Sequence, residues 1–280
     1  MTEKASSSVM SMSGQGSLRA LERAAARGRL PGTRCYNFRR NTAEVERNDY
    51  MTGIAANLQT VRGRIARAVQ AVERPVQAVS LLAVSKTFTA AAVREAAAAG
   101  QRAFGESYLQ EALPKIEALA DLDLEWHFIG PLQANKTRAV AGAFQWVHSL
   151  DRLRIAQRLS EQRDVHLPPL QVCLQVNVSG EQSKSGVTPE ELPALAHAVA
   201  ALPRLQLRGL MTIPEASDDT ALVRSRFARL RELRDDLRSQ LGPQLDTLSM
   251  GMSGDLELAV AEGATLLRIG TAIFGERPPA

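Results

Sequence analysis

Val79-Ser80-Leu81-Leu82-Ala83-Val84-Ser85-Lys86 is an apolar, β-prone run that closes on a charged amine. A strand buried on both faces, as in a parallel sheet, reads as such a continuous run, and its C-terminal end is where the chemistry collects. A lysine held there, partly shielded from water, has a depressed amine pKa and can attack an aldehyde. A lysine snorkelling from a strand end into solvent, with no chemical role, is the usual case for one lysine seen alone. The rest of the chain separates these two readings.

Seven further β-prone runs follow, at 102–106, 124–129, 145–149, 170–178, 205–212, 246–250 and 265–269. Helical periodicity fills the gaps near 89–99, 108–120, 134–142, 152–163, 189–201, 219–240 and 255–262. Ahead of the first strand, Leu58, Val61, Ile65, Ala68 and Val69 make 54–72 an amphipathic helix. Gly100 and Gly263 fit helix C-terminal stops, and Asp151 and Pro189 fit helix starts. Eight strands alternating with helices predict a single (β/α)8 TIM barrel over 51–280, close to the ~250 residues usual for that fold. A doubly wound open sheet is the alternative. Against it, no Gly-x-Gly-x-x-Gly follows the first strand, so the dinucleotide fingerprint is missing.

Residues 1–50 read differently. Ser, Gly and Arg are frequent there, and only 18–26 is periodic. This part predicts a disordered N-terminal extension, with the working chain beginning near Met51. Its acidic residues Glu22, Glu44, Glu46 and Asp49 argue against an acid-poor transit peptide. It holds nine Lys/Arg against five Asp/Glu, so the net charge of +4 falls there and the remaining 25 of each sign balance. The barrel therefore has no global bias toward nucleic acid. No apolar stretch approaches the ~20 residues of a membrane span. Cys35 and Cys173 form no disulfide framework, which fits a reducing, cytoplasmic setting, and Cys173 reads as core.

The active face of a barrel is built from the residues just after each strand. Strand one ends on Lys86, and strand two leads into Gly105-Glu106-Ser107-Tyr108. After strand seven come Ser249-Met250-Gly251-Met252-Ser253-Gly254, and after strand eight Arg268-Ile269-Gly270-Thr271. Barrels often hold phosphate at the loops after strands seven and eight, through backbone N–H groups and a helix N-terminus. Ser249, Gly251, Ser253, Gly254, Gly270 and Thr271 offer hydroxyls and close backbone approach for that purpose. Ordinary turn chemistry also favours Gly and Ser, but here two adjacent strand ends carry it. An amine at strand one and phosphate at strands seven and eight suit pyridoxal 5′-phosphate (PLP). Arg268 then sits where it could face the pyridine nitrogen, or it makes an ion pair inside the barrel. A guanidinium donates and does not accept, so facing the ring it disfavours ring protonation and weakens the electron sink.

With these residues the chain resembles the pyridoxal-phosphate homeostasis protein family, in the stretches 81–87, 104–111, 126–136, 177–186, 209–214 and 248–275. The resemblance covers about 51–277. It implies a PLP-binding barrel of the fold-type III kind, like the N-terminal domain of alanine racemase, with PLP as an internal aldimine on Lys86. It implies Arg268 at the ring nitrogen and Ser249, Gly270 and Thr271 at the phosphate. It further implies a role in keeping PLP available, with no established turnover, and PLP-dependent apoenzymes as acceptors. Nucleic-acid and membrane partners are not expected, and a monomer or weak dimer is. Ser107 departs from the family, which commonly carries Asn there; the shorter side chain loosens any contact near the cofactor.

A racemase needs acid/base groups on both faces of the substrate–PLP plane. In the racemases the second comes from a separate β domain, and this sequence ends soon after strand eight. Two alternatives stay in view: a PLP-dependent racemase-like enzyme, and a Schiff-base aldolase-type barrel in which Lys86 takes a sugar-phosphate carbonyl. Lys184, in the loop after strand five, is either a second, transient PLP-accepting amine or a solvated loop lysine. His127 reads as a satisfied core histidine. His148, His166 and His197 show no metal-ligand spacing. Arg224, Arg226, Arg229, Arg231, Arg234 and Arg238 interleave with acids on one helix and read as a salt-bridged, solvated face.

Overall fold

A computed structural model of the chain describes residues 42–180, 185–215 and 217–276, with side chains from Gly53 onward. Eight parallel strands close into a barrel in sequence order, with β1 (Ser80–Val84) pairing both β2 (Ala103–Glu106) and β8 (Leu266–Ile269). Between them come β3 (Glu125–Phe128), β4 (Trp146–Leu150), β5 (Leu170–Gln175), β6 (Leu205–Met211) and β7 (Thr247–Ser249). The strands fall where the apolar runs predict, and the closed order excludes the open sheet. Leu82, Ala83, Phe104, Val147, Leu174, Leu210, Leu248 and Leu267 are fully buried. Both faces of the strands are covered, which is why the sequence shows runs rather than alternation.

The outer layer is α2 (Ala90–Ala98), α3 (Leu109–Ala118), α4 (Thr137–Ala143), α5 (Leu153–Gln162), α6 (Leu192–Ala200), α7 (Thr220–Leu241) and α8 (Leu256–Ala261). Among the described residues, the short α9 (Thr271–Phe274) follows β8. The remaining outer position, between α8 and α2, is taken by α1 (Thr42–Ala71). Arg62 of α1 donates to the Ala99 carbonyl at the end of α2, and Arg64 makes a two-pronged bond to Glu257 of α8. Ile54, Leu58, Val61, Ile65, Ala68 and Val69 form its buried face, spaced three and four apart as an amphipathic helix requires. The helix begins at Thr42, well upstream of the Ile54 expected from periodicity. Residues 1–41 of the expected extension lie outside the described residues.

Helix ends follow local chemistry where a side chain or a glycine decides them. Thr89 caps α2, and Asp219 caps α7 by accepting from the Ala221 and Leu222 amides. Gly100 and Gly263 take the left-handed conformation just after α2 and α8 (φ 84° and 96°). Two expected starts are corrected. Arg152, not Asp151, is the residue before α5, and the Asp151 carboxylate is engaged by the Arg152 guanidinium. α6 begins at Leu192, with Pro189 in the preceding turn, because Thr188 and Glu191 close a side-chain and backbone turn there.

On α7, Arg224 and Arg231 pair with Glu262, Arg226 with Glu215 and Arg229 with Glu232. That is the salt-bridged face expected, with Arg234 buried, pairing with Asp235 and donating to the Asp246 carbonyl. Cys173 is wholly buried on β5, and burial pushes its thiol up to about 12, so it is inert core. Among the described residues no helix is long and apolar enough to cross a membrane.

Candidate functional site

The C-terminal ends of the strands surround a cleft of about 310 Å³. Lys86 enters it from β1, Ser107 from β2, Ile129 from β3 and Ile213 from β6; Ser253 and Gly254 follow β7, and Gly270 and Thr271 follow β8. Arg268 reaches it from within the barrel, and Val84 and Phe88 supply an apolar wall. The position of each follows from the parallel sheet, which sends every strand's C-terminal end to one mouth.

The end of β1 is held firmly. The Ser85 hydroxyl donates to Glu106 Oε1 at 2.6 Å, and Lys115 Nζ donates to the same oxygen at 2.6 Å and to the Ser85 carbonyl at 2.9 Å. Glu106 is completely buried and Lys115 nearly so. Burial pushes the Glu106 carboxyl up, and the Lys115 ammonium and both hydrogen bonds pull it back. The cluster thus clamps the residue before Lys86 from below. Just after Lys86, Thr87 has φ 70°, a left-handed conformation that a β-branched residue rarely adopts. Its amide donates to Glu111 Oε2 at 3.0 Å, and its buried hydroxyl has no hydrogen-bond partner among the described residues. Phe88 then stacks on Phe274 of α9 with ring centroids 5.0 Å apart. Backbone strain of roughly 1–3 kcal/mol is thus held beside Lys86 by contacts on both sides.

Arg268 stands opposite Leu82 in the β1–β8 register and is 4% exposed. Its Nη1 donates to Ser249 Oγ and its Nη2 to the Thr212 carbonyl, each at 2.8 Å. Burial lowers its pKa to about 10, with Asp255 opposing, so it stays a cation at neutral pH.

Lys86, Arg268, Gly270 and Thr271 all line this cleft. Ser249 meets Arg268 but does not line the cleft. Its side chain is fully buried beneath the cleft, between Arg268 and His148, because the last residue of β7 points into the barrel. Ser253 takes its place at the mouth, where its hydroxyl lies 3.4 Å from the Ala272 amide. The intervening loop turns at Gly251 (φ 93°), where a Cβ would fall 2.6 Å from both Ala259 and Leu267 side chains. A Cβ on Gly270 would lie a tight 3.2 Å from the Val84 carbonyl, so glycine eases the approach of this loop to β1. Gly130 does the same for the loops after β2 and β3, since a Cβ there would fall 2.2 Å from the Ser107 carbonyl.

The Ser85–Glu106–Lys115 cluster and the His148–Ser249 contact were not foreseen. The signal for the first was an acid at the end of an apolar strand; for the second, a histidine within a buried one. Lys184 lies outside the described residues.

The donor set fits PLP: an amine and a hydroxyl-and-glycine cradle at one mouth, a buried guanidinium beneath, and apolar walls. Residues 56–278 match the family model described as "Alanine racemase, N-terminal domain". The chain is 66% identical over 227 residues to the pyridoxal phosphate homeostasis protein of Pseudomonas aeruginosa, covering 81% of this chain and 97% of that one. It is 52% identical over 230 residues to the protein of the same name from Escherichia coli, covering 81% and 98%. Among solved structures, PipY of Synechococcus elongatus with PLP bound superposes with a TM-score of 0.70 at 42% identity, covering 79% of this chain and all of that one. Barrel, cleft and sequence agree, and the chain belongs to the pyridoxal phosphate homeostasis protein family.

Proposed function

We propose that this chain binds PLP at the C-terminal mouth of its barrel and serves PLP homeostasis without catalytic turnover. The observation that carries this reading is the convergence of Lys86, Arg268, Ser253, Gly270 and Thr271 on one cleft. Bound PLP supplies an aldehyde that an amine can capture and a pyridine ring that draws electrons best when its nitrogen is protonated. Lys86 offers the amine. Ser253, Thr271 and the backbone at Gly254 and Gly270 offer donors to the phosphate. Val84, Phe88 and Ile129 give the ring apolar neighbours and keep water from its faces.

Arg268 argues against turnover. It remains a cation at neutral pH and has only donors to offer, so facing the ring nitrogen it opposes protonation there. In this reading Ser249 acts behind Arg268 rather than at the phosphate. PLP-dependent apoenzymes are the proposed acceptors, the proposed state is a monomer or weak dimer, and the proposed location is the cytoplasm.

Borohydride reduction of the PLP-loaded protein followed by peptide mapping tests the assignment. The label is expected on Lys86, and Lys86→Ala is expected to lose the visible absorbance of the bound cofactor. A label found chiefly on Lys136 or Lys184 overturns the assignment, and absence of any PLP-dependent absorbance overturns the cofactor reading.

A further inference from the structure

A continuous line of hydrogen bonds crosses the barrel interior beneath the cleft. From Arg268 Nη1 it passes to Ser249 Oγ (2.8 Å), then to His148 Nδ1 (2.8 Å). From His148 Nε2 it passes to His127 Nδ1 (2.8 Å), and from His127 Nε2 to Glu125 Oε1 (2.7 Å). Both histidines and Ser249 are buried, whereas the Glu125 side chain is 46% exposed at the opposite mouth of the barrel. The Trp146 ring lies nearly parallel to His127 (interplanar angle 7°, centroids 5.3 Å) and fixes its plane.

The protons in this line have one consistent arrangement. A guanidinium only donates, so Ser249 Oγ accepts from Arg268 and keeps its own proton and a second lone pair to share with His148 Nδ1. At the other end an ionised carboxylate only accepts, so His127 Nε2 carries a proton. Burial lowers both imidazoles and favours their neutral forms, and the His127 bond lowers Glu125. A neutral His127 donating from Nε2 has Nδ1 free to accept. His148 must then donate from Nε2 and accept at Nδ1. Read from the carboxylate end, both rings are Nε2–H tautomers, the Ser249 proton goes to His148 Nδ1, and every bond points from Arg268 toward Glu125.

We propose that His148 is a positioning residue for Arg268, acting through Ser249, and that Glu125 at the far mouth sets the direction of the whole chain. His148 takes the Ser249 proton and so leaves the hydroxyl lone pair for Arg268 Nη1. With Nη2 held by the Thr212 carbonyl, the guanidinium plane is fixed from below. That this plane meets a pyridine nitrogen rests on the PLP reading above; the chain itself does not.

Two measurements separate these layers. Imidazole ¹⁵N NMR on the full-length protein without PLP is expected to show His127 and His148 neutral and protonated at Nε2. In Glu125→Ala, His127 loses its acceptor, and the tautomer balance is expected to change at His148 as well, one ring removed from the substitution. A merely structural histidine pair leaves His148 unchanged. For the cofactor, His148→Leu is expected to release PLP roughly five- to tenfold faster, the effect of about one hydrogen bond, and to shift its visible band. His148→Asn, whose amide oxygen can accept from Ser249, is expected to recover most of the loss.

An Nδ1–H tautomer on either ring, or a His148 signal unmoved by Glu125→Ala, overturns the chain. Unaltered PLP release in His148→Leu overturns the positioning role. If His148→Leu does not fold, Ser249→Ala replaces it, with the same release and band shift expected and the same outcome decisive. A wild-type protein that takes up no PLP refutes the cofactor reading, while the tautomer measurement still judges the chain.

Discussion

Replacing Lys115 with Met is expected to destabilise the fold and loosen the cofactor site together. Lys115 Nζ sits 2.6 Å from Glu106 Oε1, the carboxylate is completely buried, and the ammonium is 6% exposed. Glu106 Oε2 already has no hydrogen-bond partner among the described residues. Met fills similar space but leaves the carboxylate with only the Ser85 hydroxyl. Breaking one side of a buried pair costs roughly 3–5 kcal/mol. Against a typical domain stability of about 5–15 kcal/mol, that is a large fraction.

The loss is expected to depend on pH. Without the ammonium, burial raises the Glu106 carboxyl further above the ordinary carboxylate range in the folded protein. A carboxyl raised by folding contributes stability that is present below its unfolded pKa and lost as pH rises through its folded pKa. The deficit of Lys115→Met should therefore shrink on lowering the pH from neutral toward about 5, by up to about 1.4 kcal/mol per pH unit. Urea unfolding at several pH values measures this. Glu106→Gln combined with Lys115→Met should recover much of the stability at neutral pH, because the buried charge is gone. A single variant that loses under about 1 kcal/mol, or whose deficit is the same at both pH values, refutes the reasoning. PLP release should also quicken in the single variant, since Lys115 holds the Ser85 carbonyl next to Lys86; unchanged release would separate the clamp from the site.

Three further outcomes are expected. Thr271→Val should weaken PLP retention roughly ten- to hundredfold, the worth of a charge-assisted bond of roughly 1.5–3 kcal/mol, and leave binding of unphosphorylated pyridoxal nearly unchanged; equal losses for both ligands would remove Thr271 from the phosphate. The wild-type protein with PLP should racemise amino acids no faster than free PLP does, and Arg268→Glu should increase Cα-proton exchange if it folds; deuterium exchange read by NMR decides, and ordinary enzyme turnover by the wild type would restore the racemase alternative. A chain beginning at Met51 keeps Ile54, Leu58, Val61, Ile65, Ala68 and Val69 of α1 and should fold, bind PLP and melt within a few degrees of the full chain, whereas a large drop in Tm would show that the upstream residues contribute to the fold.

The barrel was legible because its determinants are local. Buried parallel strands are runs such as Leu81-Leu82-Ala83-Val84, the helices between them show a period near 3.6, and Gly100 and Gly263 stop helices by taking a conformation other residues resist. Lys86 was legible because it breaks an apolar run at its C-terminal end, and all eight such ends converge once the sheet closes. Composition and strand order therefore determined the fold and the mouth where the site lies.

Tertiary structure decided which polar residues face the cleft and which face the core. Ser249 and Ser253 look alike in sequence, but the inward turn of β7 sends one beneath Arg268 and the Gly251 turn carries the other to the rim. Glu106 meets Lys115 only because α3 folds back over β2. His127 and His148 meet because β3 and β4 pair with His127 opposite Trp146, two residues before His148. Irregularities at Val147/Leu150 and Val172/Cys173 shift the registers further along. Each of these contacts depends on strand register around a closed barrel, which non-local pairing sets, whereas the local sequence specifies only which residues prefer to be strand or helix.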